Sequence, residues 1–218
     1  MKSTKSDWLI PASLVVLSLV PALAGIVRLT QLTGGAPITT ENVRFFNAPL
    51  PVMLHIPAAI VFSIVGAFQF SASFRRRYRR WHRAAGRVLV PCGFVVALSG
   101  LWMAQHYAWP AGDGQAVYVE RLIFGSAMFV SLTLGVRAIL RRDFEAHGAW
   151  MIRAYAIGLG AGTQVLTHIP WFMLVAAKPG EFPRAVMMGA GWVINIAFAE
   201  WILRRRTTQP TGVLAAAG

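Results

Sequence analysis

Apolar residues fill six long stretches of this chain, at about residues 8–27, 50–73, 86–108, 118–140, 149–176 and 184–203, with polar connections at 28–49, 74–85, 109–117, 141–148 and 177–183. An α-helix rises about 1.5 Å per residue, so about 20 residues cross a hydrocarbon core of about 30 Å. The pattern predicts six transmembrane helices, with irregular backbone confined to the connections, where its polar groups can be satisfied outside lipid. These stretches consume nearly the whole chain, which predicts an all-α fold, one membrane helical bundle over residues 1–218 with a flexible tail at 207–218. No internal repeat or low-complexity tract is present.

A second pattern, spaced by threes and fours, marks one face on three of the helices. In the second stretch it joins His55, Ala59, Phe62, Gly66 and Gln69. In the third it joins His82, Gly86, Leu89, Gly93, Val96, Gly100 and Met103, and in the fifth His147, Met151, Ala154, Gly158, Ala161, Val165 and His168. Small residues at the centre of each face, including the Gly158–Gly162 pair, let helices approach closely, so helices two, three and five are predicted to form the core. His106 stands 24 residues after His82, which turns it roughly 120° away from the glycine face of its helix.

Composition sharpens this picture. Hydrophobic residues make up 56% of the chain and charged residues 13%, and the mean hydropathy is +0.55. Soluble domains carry about 25% charged residues, so a soluble fold is excluded. The net charge of +13 could suggest a nucleic-acid partner, but the basic residues stand in short blocks between apolar stretches. That is a topology signal, and no nucleic-acid partner is expected. Placing both termini in the cytoplasm puts sixteen Lys and Arg inside, among them Lys2, Lys5, Arg137, Arg153 and Arg204, against five outside: Arg28, Arg44, Arg121, Lys178 and Arg184. The segment Arg75–Arg83, RRRYRRWHR, then lies at the cytoplasmic face, where it should hold anionic lipid headgroups. Seven of the eight tryptophans fall near predicted helix ends, as an interfacial belt requires, and Trp192 sits deeper. Lys2, Lys5 and Ala22-Leu23-Ala24 imitate a cleavable signal. An apolar run of about 20 residues exceeds the usual 7–15 of such signals, so a retained anchor is expected, with cleavage the alternative. The one cysteine, Cys92, has no partner for a disulfide and reads as a small apolar residue.

On this topology Gln69, His82 and His147 share the cytoplasmic level, while His55 and His168 share the opposite one, with His106 nearby. The sixth helix adds Asn195 and Glu200; the only other carboxylate in a predicted span is Glu120, beside Arg121. An ionisable group within the bilayer is costly and needs a partner, and Glu200 can reach His82, His147 or Arg153. Its plainer alternative is Arg204, one helical turn away. Asn195 reads first as an interhelical hydrogen bond.

The order and spacing of His55, Gln69-Phe70, His82-Arg83, Gly86-Arg87, His147, Trp150-Met151, Arg153, Tyr155-Ala156, Trp192, Asn195 and Ala199-Glu200 resemble a bacterial family of predicted membrane proteins, the domain of unknown function numbered 2306. The resemblance covers residues 55 to 200 and implies a multi-pass protein of the bacterial inner membrane, with the histidines, Arg153 and Glu200 as the positions of interest. Family members often carry an arginine near position 165, where this chain has Gln164-Val165, so no role of that arginine is carried over.

Three functions compete. Imidazoles on facing helices are what a haem b or metal site in a bundle needs, and His82, His147, His55 and His168 are the candidate ligands. His147 and His168 are 21 residues apart, roughly 32 Å of rise, so at most one level is expected to hold haem. Covalent attachment through CxxCH is excluded by its absence. A proton-coupled carrier would use the polar groups Gln69, Arg153, Asn195 and Glu200 as a relay, against an apolar gap of Gly, Ala, Leu and Val between the levels. A structural or accessory protein needs none of this, because histidines at span ends also arise from interfacial packing. No nucleophile elbow, phosphate loop, HExxH or carboxylate dyad points to an enzyme.

Overall fold

A computed structural model describes residues 6–175 and 177–207, and every regular element among them is helical. The helices are α1 (Ser6–Thr33), the short α2 (Val43–Asn47), α3 (Pro49–Ala67), α4 (Ala72–Arg77), α5 (Arg79–His106), α6 (Gln115–Leu140), α7 (Phe144–Gly158), α8 (Gly160–Leu174) and α9 (Glu181–Thr207), with a 3₁₀ turn at Phe68–Phe70. Five among the described residues are long and apolar enough to cross a membrane: Trp8–Thr33, Pro49–Phe70, Arg79–His106, Gln115–Leu140 and Glu181–Arg205. Residues 208–218, most of the expected tail, and Lys2 and Lys5 lie outside the described residues.

The fifth apolar stretch, expected as one helix over 149–176, is broken at Leu159 into α7 and α8 of 15 residues each. Glycine is a poor helix former, and Gly158, Gly160 and Gly162 surround the break. Each also admits a close neighbour. A Cβ on Gly158 would lie 2.8 Å from the Phe62 ring, one on Gly160 2.2 Å from Nε1 of Trp192, and one on Gly162 2.3 Å from the carbonyl oxygen of Leu17. The Gly158–Gly162 pair therefore serves two different partners, α3 and α1.

Sequential helices pack side by side, α1 on α3, α3 on α5, α5 on α6, α6 on α7 and α8 on α9, and α8 returns to α1. The central layer is Phe62, Gly93, Leu132 and Gly158, where a Cβ on Gly93 would meet Phe62 at 2.8 Å and Leu132 at 3.0 Å. Helices two, three and five contribute as expected, with Ala58, Phe62, Leu89, Val96, Ala97, Ala154 and Tyr155 buried. The fourth contributes equally, since Met128 and Leu132 of α6 are buried in the same cluster. Its stripe runs from Arg121 through Met128 and Ser131 to Gly135, and Arg121 was read only as a topology charge. Cys92 is a free, half-buried thiol beside this core.

Helix boundaries shift the basic segment. α5 begins at Arg79, not near residue 86, so Arg79, Arg80, His82 and Arg83 stand on a helix. Likewise α7 begins at Phe144, capped by Asp143, whose Oδ1 accepts from the Ala146 N–H at 2.9 Å, and this places His147 on a helix.

Candidate functional site

At the basic end of the bundle, Nδ1 of His82 bonds Oε1 of Gln69, joining the start of α5 to the turn after α3. Nη1 of Arg75 donates to the Gln69 carbonyl at 2.6 Å, while the Gln69 amide nitrogen is buried without a partner. His147 donates from Nδ1 to the carbonyl of Gly135 on α6 at 2.9 Å. Because an amide or carbonyl oxygen only accepts, both imidazoles donate from Nδ1. The two rings lie within electrostatic range of each other.

Glu200 takes Arg153 as its partner, the third of the candidates that level alone had left open. Nε of Arg153 donates to Oε1 at 2.6 Å and Nη2 to Oε2 at 3.1 Å, a bidentate pair joining α7 to α9. The same guanidinium lies 4.7 Å over the Trp150 ring. Asn195 is an interhelical hydrogen bond: it donates from Nδ2 to the Ala156 carbonyl at 3.0 Å and accepts from Oγ1 of Thr163 at 2.7 Å. The helical donor of Ala156 would be the Gly160 N–H, on the far side of the break, so Asn195 staples the two halves together. Gln164 and Thr167 continue this seam, donating to the carbonyls of Met188 and Met187 at 3.1 and 2.8 Å.

At the opposite end a cavity of about 350 Å³ reaches from the 108–110 loop to the helix break. Its wall includes Arg44, His55, Gly100, Arg121, Gln164 and Trp192. His55 is held by a short relay. The Ser99 hydroxyl donates to the Val95 carbonyl, so Oγ must accept the 2.9 Å bond from Nδ1 of His55. His55, a residue of the cavity wall, is thereby tied to α5. The mouth is built on Asp113, whose side chain is 1% exposed and which clamps Arg121 at 2.5 Å and Arg184 as well. Arg44 and Arg28 both lie 4.6 Å over the Phe45 ring.

Of the expected pair His55 and His168, only His55 belongs to the cavity wall. Nδ1 of His168 bonds the Gln164 carbonyl at 2.6 Å and its Nε2 is buried without a partner. His106 is exposed and stacks on Trp102 at 4.5 Å, in line with its rotation off the glycine face. Among the described residues no three His, Cys, Asp or Glu side chains gather as a metal site would need. Sequence reasoning missed Ser99, Thr163, Gln164, Arg44 and Asp113. Ser99 carried a local signal, lying beside the Gly100 stripe position, while Arg44 and Asp113 sat in connections read only for charge.

No curated protein and no solved structure matches the chain. The model of one family, described as predicted membrane protein (DUF2306), matches residues 52–203, the span from α3 to α9 that carries the Gln69–His82 contact, the Arg153–Glu200 pair and the cavity wall apart from Arg44 and Phe45, and the chain therefore belongs to that family.

Proposed function

We propose that this chain is a six-crossing protein of the bacterial inner membrane, with both termini in the cytoplasm, that binds a small organic molecule in the cavity at its non-cytoplasmic end. The observation carrying this reading is His55. Its Nδ1 is tied to Ser99, and the residue belongs to the wall of a cavity whose volume of about 350 Å³ falls in the ordinary range of ligand pockets, about 300–1,000 Å³. In this reading α7 and α8 together make the fifth crossing, since 30 residues of helix rise by up to about 45 Å. The Arg153–Glu200 pair and the Asn195 staple hold the helices together. Arg75–Arg83 faces anionic headgroups on the cytoplasmic side.

Gly100 tests the cavity. A Cβ there would sit 3.5 Å from Cε1 of His55, in ordinary contact, so Gly100→Leu can fold while extending into the cavity. Native mass spectrometry of protein drawn from membranes in mild detergent should find a retained small molecule on the wild type and none on Gly100→Leu. Equal retention by both refutes the site. Reporter fusions in the 109–117 connection and after α9 should report opposite sides of the membrane; the same side for both refutes the six-crossing topology.

A second reading has its own observation. His82 and His147 each hold Nδ1 on a fixed oxygen and keep Nε2 free, the arrangement that orients imidazoles toward a metal, and two such ligands suffice for haem b. Protein from iron-supplied cells should then show a Soret band lost in His147→Ala and kept in His106→Ala. Colourless, folded wild-type protein removes this reading.

A further inference from the structure

At the rim of the cavity the Arg44 guanidinium stands outside the ion pairs that the carboxylates there make. Asp113 is shared between Arg121 and Arg184, and among the described residues no carboxylate lies within ion-pair distance of Arg44 or Arg28. Arg44 and Arg121 both belong to the cavity wall. Arg44 is held in place by the Phe45 ring and by a long bond from Nη1 to the Ala108 carbonyl, 3.3 Å. Partial burial, and then the neighbouring Arg28 guanidinium, hold the Arg44 pKa below its ordinary value, so this cation stands where an added anion would relieve it. Below the rim the wall changes character. Gly100, Phe124, Met128, Ile157 and Trp192 are apolar or nearly so. Arg121 and Met128 are seven residues apart on α6, which gives this part a depth of about 10 Å. The volume of about 350 Å³ accommodates on the order of ten non-hydrogen atoms, at about 30 Å³ each in a liquid.

We infer that the ligand of this cavity is an amphipathic anion, with a carboxylate or phosphate head between Arg44 and Arg121 and an apolar body lying against Gly100, Phe124, Met128 and Trp192. The inference rests on the cavity being a ligand site and adds the ligand's chemical class. Guanidinium groups suit this head, since each presents planar, paired donors to an oxyanion. The apolar body leaves water for a dry wall, which supplies affinity without regard to charge. Two sources share this chemistry: a free single-chain acid arriving from the aqueous side, and one chain and headgroup of an anionic phospholipid.

The test compares decanoate with decanol, which keeps the chain and removes the charge, on the detergent-purified full-length protein by native mass spectrometry. Wild type should hold one decanoate at least about tenfold more tightly than decanol, the size of one hydrogen bond to a charged group. Arg44→Gln should bring that ratio close to one while decanol binding stays as in wild type, and Gly100→Leu should lose both probes. Equal affinity of wild type for decanoate and decanol, with both lost in Gly100→Leu, overturns the anion while leaving the cavity as a site. Retention of both probes by Gly100→Leu, or no saturable binding to wild type, overturns the site itself. Should Gly100→Leu fail to fold, the Arg44→Gln ratio alone decides, because Arg44 lies in the outer connection. In nanodiscs, decanoate displaced by phosphatidylglycerol and unaffected by phosphatidylcholine identifies the phospholipid as the source, and decanoate unaffected by either identifies the free acid; both support the anion.

Discussion

Removing the charge of Glu200 is the sharpest test of how this bundle holds together. The pair with Arg153 is bidentate, at 2.6 and 3.1 Å, and its side chains are 28% and 34% exposed. Fully exposed ion pairs contribute about 0.2–1 kcal/mol, and breaking a fully buried one costs about 3–5 kcal/mol. With about a third of each side chain accessible, Glu200→Gln should cost about 1–3 kcal/mol, since Arg153 is left leaning on the Trp150 ring with its charge uncompensated. For a chain of this size that is a fall in Tm on the order of 2–10 °C. Thermal unfolding of Arg153→Met, Glu200→Leu and the double variant closes a cycle. Either single change strands a charge and the double change strands none, so the double variant should be more stable than the sum of the singles predicts, by about 1–2 kcal/mol. Additive losses, within about 0.5 kcal/mol, would show that the two residues act independently and that the pair contributes nothing to the α7–α9 contact.

Glycines on the same predicted stripes should separate cleanly. Gly66→Ala would place a Cβ 2.5 Å from the Tyr155 ring, whose hydroxyl is tied to the Ser63 carbonyl at 2.6 Å, so a loss of about 1–3 kcal/mol is expected in thermal unfolding. Gly86→Ala meets nothing within 4 Å and should be neutral or stabilising by up to about 1 kcal/mol through helix propensity; equal losses at both sites would refute the packing argument. Asn195→Ala removes two interhelical hydrogen bonds, each about 0.6 kcal/mol in membrane bundles. Hydrogen exchange at residues 157–163 should rise in that variant, and unchanged protection there would show that Asn195 does not staple the break.

The residues that were legible in the sequence share a property: their signal is local and periodic. Spacing by threes and fours identified the inward faces of α3, α5 and α7, and Phe62, Gly66, Gly93 and Ala154 lie on them. Heptad rotation separated His106 from His82 for the same reason. The break at Leu159 escaped because hydropathy is an average, and Gly-Leu-Gly-Ala-Gly at 158–162 remains apolar while losing helix propensity. α6 escaped because the polar end of its stripe, Arg121, was counted as a loop-side charge and the rest reads like a lipid-facing helix. The clamp on Asp113 joins it to Arg184, 71 residues further on, and no local pattern encodes a contact between a connection and the first turn of a distant helix. Glu200 lay between: the cost of a carboxylate in a span demanded a partner, yet helix rise fixes only its height, and which of three candidates stood at the right azimuth required the packed bundle.

The interruption at Leu159 also gives the fifth stretch the mechanics of two rods and a joint. An unbroken helix transmits a push along its whole length, because bending it stretches a continuous ladder of hydrogen bonds. Here α7 is anchored on α6 and α9, α8 on α9 and α1, and the joint is bridged by the backbone bonds of Leu159 and by the side chain of one asparagine. Ile157 and Gly158 on one side of the joint, and Ala161 and Gln164 on the other, all belong to the cavity wall. A change in the angle between the rods therefore alters the volume of the cavity while the Arg153–Glu200 pair, on the first rod, keeps its length. The compliant wall and the rigid wall belong to the same apolar stretch, and the boundary between them is the single residue Leu159.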